Sequence, residues 1–113
     1  MNQRTSKIFI EDILQAINKI ERFTGELKFK DFEQNELVID GVLRNLEVIG
    51  EASRHIPETI RLKYTDIPWQ RMVGFRNFLI HAYFNVDLTI VWQVVQVNLP
   101  ETKAFIEAML ADM

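Results

Sequence analysis

Cysteine is absent from the 113 residues. Disulfides, thiolate nucleophiles and every zinc site built on sulfur are therefore excluded. Histidine is nearly absent as well. His55 and His81 are the only two, too few for a histidine-rich metal site in one chain, so any chemistry is expected to run with no protein-bound metal and no cofactor. No apolar run approaches the roughly 18 residues that a membrane span needs, and the amino-terminal MNQRTSKIF lacks the basic, apolar and small-residue sections of a signal peptide. A cytoplasmic protein with no membrane association is the expectation. Internal repeats, low-complexity tracts and long linkers are missing too, and the length suits one core, so residues 1–113 are read as a single domain.

Positive charge is also in short supply. The net charge of −3 argues against a general nucleic-acid binder, because phosphate contacts supply most non-specific affinity and demand clustered Lys and Arg. The average conceals an asymmetry, since the stretch from Arg44 to His81 carries +2 and the remainder −5. A local basic site for one phosphate segment is compatible with that balance, although charge runs this mild are usually solvated surface.

What the chain does have is helical periodicity, in a composition that is 48% hydrophobic. From Ser6 to Phe23, residues Ile10, Ile13, Leu14, Ile17 and Ile20 recur at three-and-four spacing, with Ser6 as the cap and Gly25 as the break. A second helix is expected to start at Asp31, with Gln34 completing a capping box, and to run to about Arg54. Ile39, Val42, Leu43, Leu46 and Ile49 form its stripe, widened by Leu37, Val38 and Ala52, which suits a central helix. Pro57 fits the first position of a short helix through Tyr64, and Pro68 opens a third long one to about Tyr83. Asp87 caps a last major segment, LTIVWQVVQV, read as helix because Leu88, Val91, Trp92 and Val95 keep helical spacing and nothing else offers a pairing strand. Pro100 interrupts or restarts it before Phe105, Ile106, Met109 and Leu110. The fold class is all-α, an antiparallel up-and-down bundle of four to five helices.

The third long helix is the informative one. Trp69, Met72, Val73, Ile80 and Tyr83 lie on one stripe, yet Arg76 stands in its middle, and Phe75, Phe78, Leu79 and Ala82 cover much of the adjoining surface. Such a helix is sandwiched between neighbours or covered by a partner chain. An Arg on an apolar stripe must be paired or must line a cleft, and Glu51 on the central helix is a suitable partner. His81 lies five residues beyond Arg76, about 140° round and roughly 7.5 Å along a regular helix, so one phosphate reaches both only if the helix distorts or a second chain completes the site. Asn77 and His81 share a face, and Arg76 and Tyr83 share another. His55 is read as a surface or helix-end histidine.

Taken together, GFRNFLIHAYFNVD presents R-x-x-x-x-H-x-Y with Asn directly after the Arg. The pattern resembles the signature of the HEPN superfamily, in particular its HepT branch. Gly50-Glu51-Ala52, Ile67-Pro68-Trp69, Asn85-Val86-Asp87 and the VW...NLP tail fall where that branch has similar residues. The resemblance covers the last two thirds of the chain, while the first helix matches in character only and Phe75 stands where many relatives have Met. It implies a homodimer with two motifs at a shared cleft and endoribonuclease cleavage of RNA without metal. His81 would be the general acid or base, Arg76 would stabilise charge on the phosphate, and Asn77 would help position them. It further implies a nucleotidyltransferase antitoxin of the MNT type that silences the toxin by transferring AMP to Tyr83. The residue types suit that chemistry independently. RNA carries its own nucleophile in the 2′-hydroxyl, so cleavage needs a proton-transfer group titrating near neutrality and a cation aimed at the developing charge. Two other readings stand beside it: a catalytically silent helical partner or substrate of a nucleotidyltransferase, and a dimeric bundle with no chemistry.

Overall fold

A computed structural model describes residues 3–81 and 85–113. Helix α1 (Gln3–Thr24) buries Ile10, Ile13, Ile17 and Ile20 on the face that their spacing defines. It stops at Gly25, whose φ of 46° lies in the left-handed region that glycine enters without steric cost, and the Gly25 N–H donates back to the Glu21 carbonyl at 2.8 Å. Ser6, expected as the cap, sits inside the helix instead. It is fully buried, and its Oγ has no hydrogen-bond partner among the described residues.

The next helix begins later than Asp31. A four-residue turn, α2 (Phe29–Phe32), comes first, closed by Asp31 Oδ2 accepting from the Lys28 N–H at 3.3 Å. Burial of Phe32 fixes this turn, and Asn35 rather than Asp31 caps α3 (Glu36–Arg54), accepting from the Val38 N–H at 3.1 Å. Val42, Leu43, Leu46, Ile49 and Ala52 are buried as expected, but Leu37, expected to widen the stripe, is 83% exposed at the first turn. At the far end Arg61 reaches back to donate to the Ser53 and Ile56 carbonyls at 2.8 and 2.9 Å, adding a second bond to the Ser53 carbonyl, which also accepts from the Ile56 N–H at 3.2 Å. Pro57 caps the short α4 (Glu58–Arg61), which ends before Tyr64.

Helix α5 (Trp69–His81) follows Pro68, whose carbonyl accepts the first helical bond from the Met72 N–H at 3.0 Å. Tyr83, to which this helix was expected to extend, lies outside the described residues. Asp87 caps α6 (Leu88–Gln93) by accepting from the Thr89 N–H at 2.9 Å. Pro100 does not interrupt what comes next. A π-helical turn, Val94–Asn98, joins α6 directly to α7 (Leu99–Asp112), and the Leu99 N–H donates to the Val94 carbonyl five residues back. The widened turn absorbs the missing proline N–H and its ring.

Contacts fix the directions. Phe9 near the start of α1 stacks on His55 just past the end of α3, and the Phe23 ring near the end of α1 lies over Gly41 near the start of α3. The two helices are therefore antiparallel. Lys103 of α7 pairs with Glu21 at 3.0 Å, while Asp112 at the other end accepts from the Tyr64 hydroxyl at 2.6 Å, so α7 runs antiparallel to α1. Helix α3 packs on both α1 and α5 and is the central element. The molecule is an all-α bundle, and no described helix is long and apolar enough to cross a membrane.

One contact sets how closely α5 lies on α3. A Cβ built on Gly50 would stand 2.1 Å from the Arg76 Cβ and 2.8 Å from the Met72 carbonyl oxygen. Only glycine allows that approach. Gly50→Ala therefore forces the helices apart and costs about 1–3 kcal/mol of stability, which thermal unfolding followed by circular dichroism reads as a lower Tm. Ser6→Ala should leave Tm unchanged or higher, because it removes a buried hydroxyl without a partner. A helix cap at that position would instead lose about 1 kcal/mol.

Candidate active site around Arg76

The close approach at Gly50 brings Glu51 of α3 against Arg76 of α5. Nη2 of Arg76 stands 3.1 Å from Glu51 Oε2, and Nη1 donates to Asn77 Oδ1 at 3.0 Å. The guanidinium is thus held from two sides. Oε2 is sealed from solvent and receives no well-aligned hydrogen bond, so the contact with Arg76 is an ion pair. The other carboxylate oxygen, Oε1, accepts from Arg54 Nη2 at 2.9 Å and lies 3.2 Å from His55 Nε2.

Those bonds hold the Glu51 carboxyl below its ordinary value of 4.5, the hydrogen bonds from Arg54 and His55 first and the fields of Arg54 and Arg76 after them. Two arginines and a histidine converge on one carboxylate. Even with His55 neutral, the cluster keeps a positive charge, and that is the electrostatic requirement for meeting a phosphate.

Beside the cluster a cleft of about 260 Å³ opens between α1, α3 and α5, with Phe9, Val48 and Ile80 as apolar wall; its charged side holds Arg44 and Arg76 together with Asp12, Glu47 and Glu51, so the positive charge is confined to the Arg76 end. A second cavity of about 370 Å³, lined mainly by Leu46, Ile49, Met72, Phe75, Val94 and Phe105, lies between α3, α5 and the last helices. Arg76 does not line it.

Arg76, Asn77 and Glu51 are therefore brought together as the sequence suggests. His81 is not among them. Helix α5 stays regular through His81, which is exposed, and no hydrogen bond or ion pair joins it to Arg76 among the described residues. Tyr83 lies outside the described residues. The residue that sequence reading set aside is His55, which caps α3 and stacks on Phe9 with ring centroids 4.9 Å apart. Its spacing of four from Glu51 on one helix was the available signal.

The bundle is a HEPN-type domain by its likeness to known proteins. More narrowly, the chain belongs to the ribonuclease HepT-like family, whose model matches residues 13–109. It is 41% identical over 107 residues to a Thermococcus cleftensis protein named Probable ribonuclease HepT, covering 95% of this chain and 97% of that one. It is 28% identical to the mRNA nuclease HepT of Shewanella oneidensis, over 91% of this chain and 94% of the relative. Among solved structures, a chain from a toxin-antitoxin crystal structure with AMP-PNP superposes with a TM-score of 0.70 at 26% identity, covering 95% of this chain and 98% of that one.

Since the folded Glu51 carboxyl is depressed, its contribution to stability is present above the unfolded value near 4.5 and is lost as pH falls through the folded value. Glu51→Gln should accordingly flatten the acid limb of a plot of Tm against pH below about pH 5 and leave the neutral-to-alkaline limb parallel to the parent. An unchanged acid limb would show that the cluster does not contribute to folding.

Proposed function

We propose that this chain is the toxin subunit of a toxin-antitoxin pair, an endoribonuclease that cleaves RNA without a metal ion at a cleft shared by two copies. An MNT-type nucleotidyltransferase is its antitoxin and silences it by transferring AMP to Tyr83. The observation that carries the reading is the fixed Arg76, tied to Glu51 at 3.1 Å and to Asn77 at 3.0 Å beside an open cleft, in a chain of the ribonuclease HepT-like family. The names of the Shewanella relative and the toxin-antitoxin neighbour support the substrate and the pairing.

In this reading the 2′-oxygen of RNA attacks the adjacent phosphorus as its proton passes to a base. The bond to the 5′-oxygen breaks, and that oxygen takes a proton. The products are a 2′,3′-cyclic phosphate and a 5′-hydroxyl. His81 serves as proton acceptor or donor, and Arg76 meets the charge that builds on the non-bridging oxygens. Arg76 and His81 diverge on a regular helix, so a second copy is needed to bring both kinds of group to one phosphate.

Cleavage of RNA should persist in excess chelator and yield the cyclic phosphate. His81→Ala should lower its rate by about 10²–10⁴ with the circular dichroism spectrum unchanged. Cleavage at the parental rate by His81→Ala would sink the assignment. The silent-partner reading requires instead that no variant and no parent cuts RNA at all.

Tyr64 provides a control for the modification. Its hydroxyl donates to Asp112, which together with burial raises its pKa and makes it a poor nucleophile. Incubation with the partner nucleotidyltransferase and ATP should add AMP-sized mass increments that survive Tyr64→Phe and vanish in Tyr83→Phe. Each AMP brings a negative phosphate and a bulky base two residues from His81, enough to occupy the cation and block the scissile phosphate. Increments that survive Tyr83→Phe would move the acceptor elsewhere.

A further inference from the structure

His55 takes no part in the cleavage chemistry set out above, yet it stands inside the cluster that fixes Arg76. The Glu51 carboxylate is divided between two sets of cations. Oε2 faces Arg76 Nη2 at 3.1 Å, while Oε1 accepts from Arg54 Nη2 at 2.9 Å and lies 3.2 Å from His55 Nε2. A guanidinium paired one-to-one with a carboxylate is a weak anion site, because repulsion between the carboxylate and an incoming phosphate offsets much of the attraction. Arg76 escapes that limit only as far as other cations share Glu51. Arg54 is a permanent one. Histidine is the only side-chain type in the cluster that ordinarily changes charge between about pH 5 and pH 8.

The geometry of the bond decides what a proton on His55 does. A carboxylate oxygen only accepts, so Nε2 carries the proton that faces Glu51 whether the ring is neutral or charged, and Nδ1 is the nitrogen that gains or loses one. The ring is held independently of that bond. It lies near-parallel on Phe9 of α1, with centroids 4.9 Å apart and 14° between the planes, and its residue is the C-cap of α3. Cations are favoured at that end of a helix. Proton uptake therefore leaves the contacts in place and changes the charge behind them. With the ring neutral, two guanidiniums against one carboxylate leave a single positive charge, and with the ring charged the cluster holds two. Asp12 of α1 lines the same cleft as Glu51, and Arg61 of α4 donates to the Ile56 carbonyl next to His55, so both face the cluster in either state.

We infer that His55 is a positioning residue acting through Glu51: by sharing that carboxylate it frees charge on Arg76, so the Arg76 end of the cleft holds a phosphodiester more tightly when His55 is protonated. The identity of the ligand rests on the ribonuclease reading above, whereas the sharing of Glu51 stands on the distances. Linkage makes the effect reciprocal, so a bound phosphodiester raises the proton affinity of His55 by the same factor.

A 2′-O-methyl oligoribonucleotide presents phosphodiesters without a free 2′-hydroxyl, so fluorescence anisotropy reads its binding with no cleavage. His81→Ala protein is the background, which removes the other histidine, and ionic strength is held constant at about pH 5.5 and about pH 8. Affinity should fall about three- to tenfold from the lower pH to the higher. Added to that background, His55→Gln keeps an N–H for Glu51 without the charge and should bind weakly at both. His55→Arg can stack on Phe9 and stays charged, and it should bind tightly at both. His55 is exposed, and circular dichroism checks that each variant folds. A pH dependence that survives His55→Gln, with binding lost in Arg76→Gln, overturns the role of His55 and leaves the phosphate site standing. His55→Arg binding as weakly as His55→Gln also overturns that role, because charge would then not be the cause. An oligonucleotide that fails to bind, or that binds as tightly after Arg76→Gln, overturns both the role of His55 and the ribonuclease reading.

Discussion

The contact on which the site depends is the approach of α5 to α3 at Gly50, where a single methyl group would already collide with Arg76 and with the backbone of Met72. An arginine on an apolar helix face is a liability unless a counterion lies within reach, since an uncompensated charge there costs more than its neighbours' burial returns. The missing side chain at position 50 lets the next residue, Glu51, supply that counterion at 3.1 Å. Glu51 in turn stays ionised because Arg54 and His55, one turn further along α3, donate to its other oxygen. A backbone constraint is thereby converted into a guanidinium of fixed position. Such a group stabilises a developing charge without reorganising as the charge appears.

Much of this was legible in the sequence, and the reason is periodicity. The isoleucines of α1 declare their face, and an Arg in the middle of an apolar stripe demands a partner that Glu51 on the central helix can provide. The divergence of Arg76 and His81 follows from helix geometry alone and persists in the structure. What sequence reading missed depended on contacts between distant segments. Asp31 and Asn35 both have capping chemistry, and the choice between them is made by burial of Phe32, which closes α2 ahead of α3. His55 acquires its place because Phe9 arrives from α1 to stack on it. Pro100 announces a missing N–H, but whether a chain breaks there or slips by one residue into a π-turn is decided by what α6 and α7 pack against. Here Trp92 lies on Phe29 and Phe32, and Leu99, Ile106 and Met109 are buried on the same run.

The bundle distributes its stability unevenly. Helices α1 and α3 supply most of the buried aliphatic side chains, whereas α5, with thirteen residues, buries only Trp69 and Leu79. Trp69 is further pinned by its indole N–H donating to the Tyr64 carbonyl at 3.1 Å, so the amino-terminal end of α5 is the better anchored one. Beyond Leu79 the helix carries exposed Ile80 and His81. Local opening follows the density of buried contacts, so within α5 the residues beyond Leu79 are held less firmly than the end anchored by Trp69. An element so placed gains most from being covered. Covering that end would take the Phe78 ring, the largest apolar side chain that α5 leaves exposed, out of water.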